Sequence, residues 1–337
     1  QKMLQENSSP EKETTPEKEA TPEKEATPEK EETPEKEETP EKEATPEKET
    51  TPEKEATPEK EDKIAGAILG HALGDALGAP VEFYPYSHYT GELNTPIVRY
   101  TRAYGKQTSS IGQVTDDTEM ALVLLKTIIG GYTRKSAIIN YMTWAINEFP
   151  SGKGRSPFMG KNTRNLFVAT KPKVKSYENR FDKYYPDEKS KEDSQSNGAL
   201  MRSYPLAFVE DTEIIKIDVA ITNPSSLTYE LEMAYIVAIK MALEGNTKQS
   251  IKSHVKTLLK NELLIEVYAD ACNNKFRDVT INRGHVIHAF YCAFWGLFNY
   301  DDYNTAIDAI ICLSPIENTP AKICVKGATF KKNEVKL

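Results

Sequence analysis

Cysteine is scarce and unpaired in this sequence: the four residues Cys272, Cys292, Cys312 and Cys324 contain no Cys-x-x-Cys pair. That spacing indicates neither a zinc site nor a disulfide framework, and it points to a cytoplasmic or otherwise intracellular, reducing setting. Long apolar runs are lacking as well. No stretch of eighteen apolar residues occurs, nor a basic start followed by an apolar middle, so neither a membrane span nor a secretory leader is expected. Excess positive charge is also missing. Residues 1–62 hold 10 lysines against 22 acidic side chains, so −12 resides there within a chain of net −8, and the other 275 residues stand near +4. A body so close to neutral is not expected to bind nucleic acid through bulk charge.

The first 62 residues lack almost everything a core needs. Nine copies of Pro-Glu-Lys-Glu recur every six residues, from Pro10 to Pro58, with Thr, Ala, Ser or Glu as spacers. Such a segment has no apolar face to offset about 1–2 kcal/mol of backbone entropy per residue, and a proline in every hexamer prevents a continuous helix. The sequence therefore divides into a disordered acidic tail, 1–62, and a folded body, 63–337. An expanded low-complexity segment accounts for the repeat; a spacer or interaction tail is the alternative.

From Lys63 onward the apolar residues fall at helical spacing in Ile64–Leu77, Thr118–Ile129, Ser136–Glu148, Ser226–Glu244, Lys248–Glu262 and His285–Phe298, and few stretches alternate as strands do. The expected fold is all-α, a single compact multi-helix domain. Pro150–Asp193, rich in Lys, Pro, Tyr and Gly, reads as a surface excursion over a site. Gly66, Gly70, Gly74 and Gly78 form a stripe along the first helix. Each interior glycine costs about 1 kcal/mol against alanine, so the stripe implies close approach by another backbone or small-residue helix packing, and in either case a central helix.

Four segments carry polar groups suited to chemistry. Thr115-Asp116-Asp117-Thr118-Glu119 stands directly before the apolar run Met120–Ile129. Thr115 or Asp116 can cap that helix, with Thr118 or Glu119 completing a capping box, but one aspartate is left over. Two carboxylates flanked by hydroxyls also gather hard oxygens suited to Mg²⁺ or Ca²⁺. Around Gly74-Asp75, the chain turns to place Glu82 between Val81 and Phe83, where a carboxyl can hold or donate a proton; Asp75 itself can be structural, bonding a neighbouring backbone N–H. Asp193-Ser194-Gln195-Ser196-Asn197-Gly198 offers amides and hydroxyls fit for a phosphate or ribose, although Asn-Gly is also an ordinary turn signal. Gly160-Lys161-Asn162-Thr163-Arg164 offers similar donors.

Taken in order, Gly70–Glu82, Gln113–Thr118, Gly160–Arg164, Ser196–Arg202 and Gly284–Ala289 resemble the ADP-ribosylglycohydrolase family, related to the bacterial enzyme that reactivates ADP-ribosylated dinitrogenase reductase. The resemblance implies an all-helical fold with two Mg²⁺ ions at the base of a cleft for ADP-ribose. It implies Thr115, Asp116 and Asp117 as one group of metal ligands, and Glu82 with Asp117 as catalytic residues. Ser194, Gln195, Ser196, Asn197, Gly198 and Asn223 are implied as substrate-binding. The implied reaction is hydrolysis of the bond between the ribose anomeric carbon and a protein side chain, acting on an ADP-ribosylated protein or an ADP-ribose-containing small molecule.

Two positions depart from the family pattern. The late Gly-Gly-Asp-Thr-Asp-Thr motif falls at Ser314-Pro315-Ile316-Glu317-Asn318-Thr319, so Asn318 and Thr319 remain as weak ligands and Ile316 supplies none. Asn223 stands where many relatives have histidine. Retained Thr115-Asp116-Asp117 and Glu82 favour a hydrolase, whereas Ile316 and Asn318 favour a non-catalytic ADP-ribose-binding protein. A structural protein that reuses the fold is the third reading.

Overall fold

The computed structural model of the chain describes residues 58–79, 103–104, 107–108, 112–146, 159–279, 282 and 284–311. The described residues form α1 (Pro58–Gly78), a minimal hairpin of β1 (Ala103–Tyr104) and β2 (Gln107–Thr108), then α2 (Asp116–Ile129), α3 (Arg134–Ile146), α4 (Lys161–Phe167), α5 (Val174–Tyr184), α6 (Glu188–Glu192) and α7 (Gly198–Arg202). After a 3₁₀ turn at Tyr204–Phe208 come α8 (Glu213–Thr222), α9 (Ser226–Leu243), α10 (Lys248–Leu258), α11 (Glu262–Cys272), α12 (Val286–Asn299) and α13 (Tyr303–Ile311). The all-α expectation holds, and none of these helices is long and apolar enough to cross a membrane.

Two apolar clusters meet along α7 and α9. One gathers Met120 and Leu124 of α2, Ile138 and Tyr141 of α3, Phe167, Tyr177 and Val219. The other gathers Ile251 and Val255 of α10, Leu264 and Val267 of α11, and Phe290 and Phe294 of α12. Helix α9 is apolar on more than one side because it serves both, sending Ile236 to the first cluster and Leu231, Ala234 and Ala238 to the second. In α7, consecutive residues Ala199 and Leu200 likewise go to opposite clusters. The polar loop that precedes α7 therefore opens at the seam.

Five expectations need correction. Helix α1 starts at Pro58, inside the last repeat copy, rather than at Ile64. Proline suits the first helical position because its missing N–H would be unpaired there, acidic Glu59 and Glu61 favour the positive end of the helix dipole, and Glu59 pairs with Lys63 at 2.8 Å. Nor is α1 central: Leu69 and Leu73 are 60% and 42% exposed. Its glycines meet a side chain rather than a backbone, for the Tyr303 ring of α13 covers Gly70 and Gly74 and its hydroxyl donates to the Gly70 carbonyl. The close helix approach is instead at Gly296 of α12, where a Cβ would lie 2.8 Å from Ile310 of α13.

Residues 159–193 are not an excursion. They fold into α4, α5 and α6, with Leu166, Phe167 and Tyr177 fully buried. The lysines of this stretch occupy the outward face of short helices and dilute the apolar stripe formed by Val174, Tyr177, Phe181 and Tyr184. Finally, α10 ends at Leu258 rather than Glu262, because the Asn261 side chain accepts from the N–H groups of Leu263 and Leu264 and starts α11.

Candidate active site

The start of α2 is capped from another helix. Asp75 of α1 accepts four hydrogen bonds through its carboxylate: from Thr115 N (2.8 Å), Thr115 Oγ1 (2.6 Å), Thr118 N (3.2 Å) and Thr118 Oγ1 (2.6 Å). Thr115 occupies the N-cap position but makes no side-chain capping bond, so the expected capping box is absent. Its hydroxyl proton is given to Asp75, which leaves the oxygen lone pairs for another partner. The structural alternative for Asp75 is the one realised, although the N–H groups it bonds lie 40 or more residues away.

With the capping work done by Asp75, the carboxylates of Asp116 and Asp117 are not needed to cap α2. Asp116 accepts from Gly160 N at 3.2 Å, which draws the start of α4 against the start of α2. Glu119, one turn into α2, has its pKa lifted to about 8, chiefly by burial and further by the negative charges of Asp116 and Asp75, against an indole N–H from Trp144 at 3.4 Å. His71 of α1 packs on the Tyr204 ring at 4.7 Å; burial lowers its pKa, opposed by Asp75 and by a bond to the Asp117 backbone.

The second half of the site is a hydrogen-bonded loop. Asn162 of α4 donates to Ser196 Oγ at 3.0 Å, and the Tyr184 hydroxyl of α5 donates to Asn162 Oδ1. Asn223, at the end of α8 and 1% exposed, donates from Nδ2 to Ser194 O (3.1 Å), Ser196 O (3.1 Å) and Ser196 Oγ (2.9 Å). Tyr185 and Tyr177 hold the end of α8 by donating to the carbonyls of Thr222 and Ile221. On the other side, Asn197 N donates to Gly284 O and Val286 N to Gln195 O, both at 2.9 Å. His285 Nε2 lies 3.0 Å from Gln195 Oε1, and burial together with neighbouring His288 lowers its pKa.

Behind the loop, α7 ends in a buried ionic cluster. Arg202, 1% exposed, donates to Asp218 Oδ2 (3.3 Å), Asp218 O (3.2 Å), Thr222 Oγ1 (2.8 Å), Gly198 O (3.2 Å) and the Tyr141 hydroxyl (3.2 Å). Desolvation disfavours its charge, but Tyr141, Asp218 and Glu232 outweigh that and its pKa stays raised. Glu232 of α9 is fully buried, neither carboxylate oxygen has a partner among the described residues, and desolvation lifts its pKa to about 8.

One chain of hydrogen bonds thus links Asp75 to Thr115, and another links the start of α4 both to Asp116 and to Ser196, whose loop is bonded in turn to residues 284–286. Four segments singled out from sequence converge. Glu82, Asn318 and Thr319 lie outside the described residues. Gln195, Asn197 and Gly198 lie in the loop as expected, whereas the Asn223 amide faces the loop backbone and acts as a brace. Sequence reasoning missed Tyr184 and weighed Glu119 individually only as a capping-box residue; no local pattern marks a tyrosine whose partner is an asparagine on the preceding helix.

The hydroxyl of Thr115 and the carboxylates of Asp116 and Asp117 are hard-oxygen donors of the kind that suit Mg²⁺, and a cation there would offset the negative charge of Asp116 and Asp75 that adds to the effect of burial on Glu119. Among the described residues no group of three His, Cys, Asp or Glu side chains is placed to hold a metal ion.

A family model described as ADP-ribosylglycohydrolase matches residues 56–315. The chain is 25% identical over 255 residues to the ADP-ribosylarginine hydrolase Tri1 of Pseudomonas putida (strain GB-1), a match that takes in 73% of this chain and 64% of that protein. It is 26% identical over 260 residues to the protein of the same name from Serratia proteamaculans (strain 568), covering 73% of this chain and 65% of that one. The match thus spans a little under two thirds of either relative. In three dimensions it is similar to a solved structure named ADP-ribosylglycohydrolase-related protein complex, with a TM-score of 0.56 at 22% identity over 76% of this chain and 82% of the other, which shows the shared fold.

Proposed function

We propose, from the premise that the chain belongs to the ADP-ribosylglycohydrolase family, that it hydrolyses the glycosidic bond joining ADP-ribose to a protein side chain in a Mg²⁺-dependent reaction. Arginine is the first linkage to test, because two relatives are named ADP-ribosylarginine hydrolases. The observation that carries the reading is the convergence of the Thr115-Asp116-Asp117 start of α2, the start of α4 and the Ser194–Asn197 loop through direct hydrogen bonds.

In this reading Asp75 orients the Thr115 hydroxyl so that its lone pairs, with the carboxylates of Asp116 and Asp117, would hold one Mg²⁺; Asn318 and Thr319 would contribute to a second. Bound there, the metal supplies Lewis-acid polarisation of ribose oxygens. The loop residues Ser194, Gln195, Ser196, Asn197 and Gly198 hold ribose and phosphate oxygens, braced from behind by Asn223. Glu82, with Asp117, takes up or relays the proton of the attacking water as the glycosidic bond breaks, and the leaving guanidine recovers a proton. Arg202 and Asp218 do no chemistry; they anchor α7 beneath the loop.

Ile316 and Asn318 favour a second reading, ADP-ribose binding without turnover, since each replaces a carboxylate of the family pattern. The two separate on one experiment: release of ADP-ribose from a modified protein, measured with Mg²⁺ for the unmodified chain, Asp116→Ala and Asp117→Ala. Hydrolysis requires release that either substitution lowers at least a hundredfold. Binding of ADP-ribose without release by the unmodified chain would establish the second reading and refute the first.

A further inference from the structure

Ser196 Oγ accepts from Asn162 Nδ2 at 3.0 Å and from Asn223 Nδ2 at 2.9 Å. A serine oxygen has two acceptor lone pairs and one proton, so both lone pairs are engaged and only the O–H remains. Among the described residues no acceptor takes that proton. The two amides cannot turn round to take it. Asn223 Nδ2 also lies 3.1 Å from the carbonyl oxygens of Ser194 and Ser196, which only accept, so the NH₂ group must face the loop; Oδ1 is left buried without a partner among the described residues. Asn162 is fixed from its far side, where the Tyr184 hydroxyl donates to Oδ1 and leaves its NH₂ for Ser196.

The departure from the family pattern at position 223 therefore has a use in this loop. The two protons of the Asn223 NH₂, one of them shared, reach the carbonyls of Ser194 and Ser196 and the Ser196 hydroxyl together. A neutral imidazole at position 223, with one N–H in all, could not address all three.

We propose that Asn162, Asn223 and Tyr184 are positioning residues that hold the Ser196 hydroxyl as a pure hydrogen-bond donor for an anionic oxygen of the ADP-ribose pyrophosphate. This rests on the glycohydrolase reading. A hydroxyl that can only donate selects an atom that can only accept, and a charged acceptor makes the stronger bond. A ribose hydroxyl, able to donate as well, gains no discrimination from it.

Calorimetric titration of ADP-ribose and of ADP into the full chain tests this. Ser196→Ala should raise the Kd of both about tenfold, the loss expected for one hydrogen bond to a charged group. Asn162→Ala and Tyr184→Phe should each weaken binding by a smaller factor, and Ser196→Ala with Asn162→Ala should bind no more weakly than Ser196→Ala alone, because both act through one hydroxyl. Ser196→Thr, which keeps the donor, should restore binding. A purely structural role would give additive losses and no rescue by threonine. Equal ADP-ribose affinity of Ser196→Ala and the unmodified chain overturns the proposal and leaves the glycohydrolase reading standing. A loss with ADP-ribose but not with ADP overturns the pyrophosphate assignment. Failure of the unmodified chain to bind ADP-ribose overturns both.

Discussion

Replacing Asp75 with alanine removes one side chain and strands four donors. Two are backbone N–H groups at the first turn of α2, where the N-cap residue Thr115 makes no side-chain capping bond. Two are the hydroxyls of Thr115 and Thr118, residues only 6% and 5% exposed, so water replaces the lost acceptor poorly. A lost N-cap costs about 1 kcal/mol, and each buried hydroxyl left without a partner about 1 kcal/mol more, for a total of about 3 kcal/mol. In a domain of this size that lowers Tm by about 6–10 °C. Asp75→Asn keeps the shape and one acceptor oxygen, and should lose roughly half as much. The same substitution should weaken Mg²⁺ binding about 10- to 100-fold, because Thr115 loses the group that orients it. Differential scanning calorimetry and a Mg²⁺ titration read both effects. A Tm within about 2 °C of the unmodified chain for Asp75→Ala would refute the claim that α1 caps α2.

Arg202→Met should destabilise the fold by about 3–5 kcal/mol in chemical denaturation, since it leaves Asp218 and Glu232 buried without their cation; a loss below about 1 kcal/mol would contradict the buried cluster. Glu232 binds its proton more tightly in the folded chain, at about 8 against an ordinary 4.5, so its favourable contribution is complete below pH 4.5 and is lost as pH rises through 8. The ceiling on that loss is about 5 kcal/mol, and Glu232→Gln should flatten the decline of stability between pH 5 and 9; an unchanged slope would sink the assignment. We also propose that residues 1–54 contribute nothing to stability: their deletion should leave Tm unchanged within about 2 °C, whereas deletion through Asp62 removes the first turn of α1 and should lower it measurably. Equal Tm values for the two truncations would contradict the helix start at Pro58.

Periodicity alone made α1, α2, α3, α9, α10 and α12 legible, because their apolar residues recur at helical spacing. Helices α4, α5 and α6 escaped notice for the opposite reason: five to eleven residues each, they are crowded with lysine, and only tertiary contact reveals that Tyr177 and Phe167 are core. The polar cluster beneath the site was equally hidden. Glu232 reads as one more surface glutamate in Tyr-Glu-Leu-Glu-Met, and nothing in its neighbourhood announces Arg202, which arrives from α7. Motif order singled out the start of α2, the 160–164 segment and the 194–198 loop, which hydrogen bonds join in the structure. It did not reveal that Asn223 braces that loop, since the direction of an amide depends on carbonyls that the fold brings to it. Asp75 shows the same limit, for its partners lie 40 and 43 residues along the chain.

The most direct test of the account is release of ADP-ribose from an arginine-ADP-ribosylated protein by the full chain, followed with saturating Mg²⁺ and again after chelation. Metal-dependent release is the result the account predicts, and it would mean that Asn318, Thr319 or Glu317 completes the ligand set despite Ile316. Absence of release at any Mg²⁺ concentration, from a folded chain that still binds ADP-ribose, would contradict it.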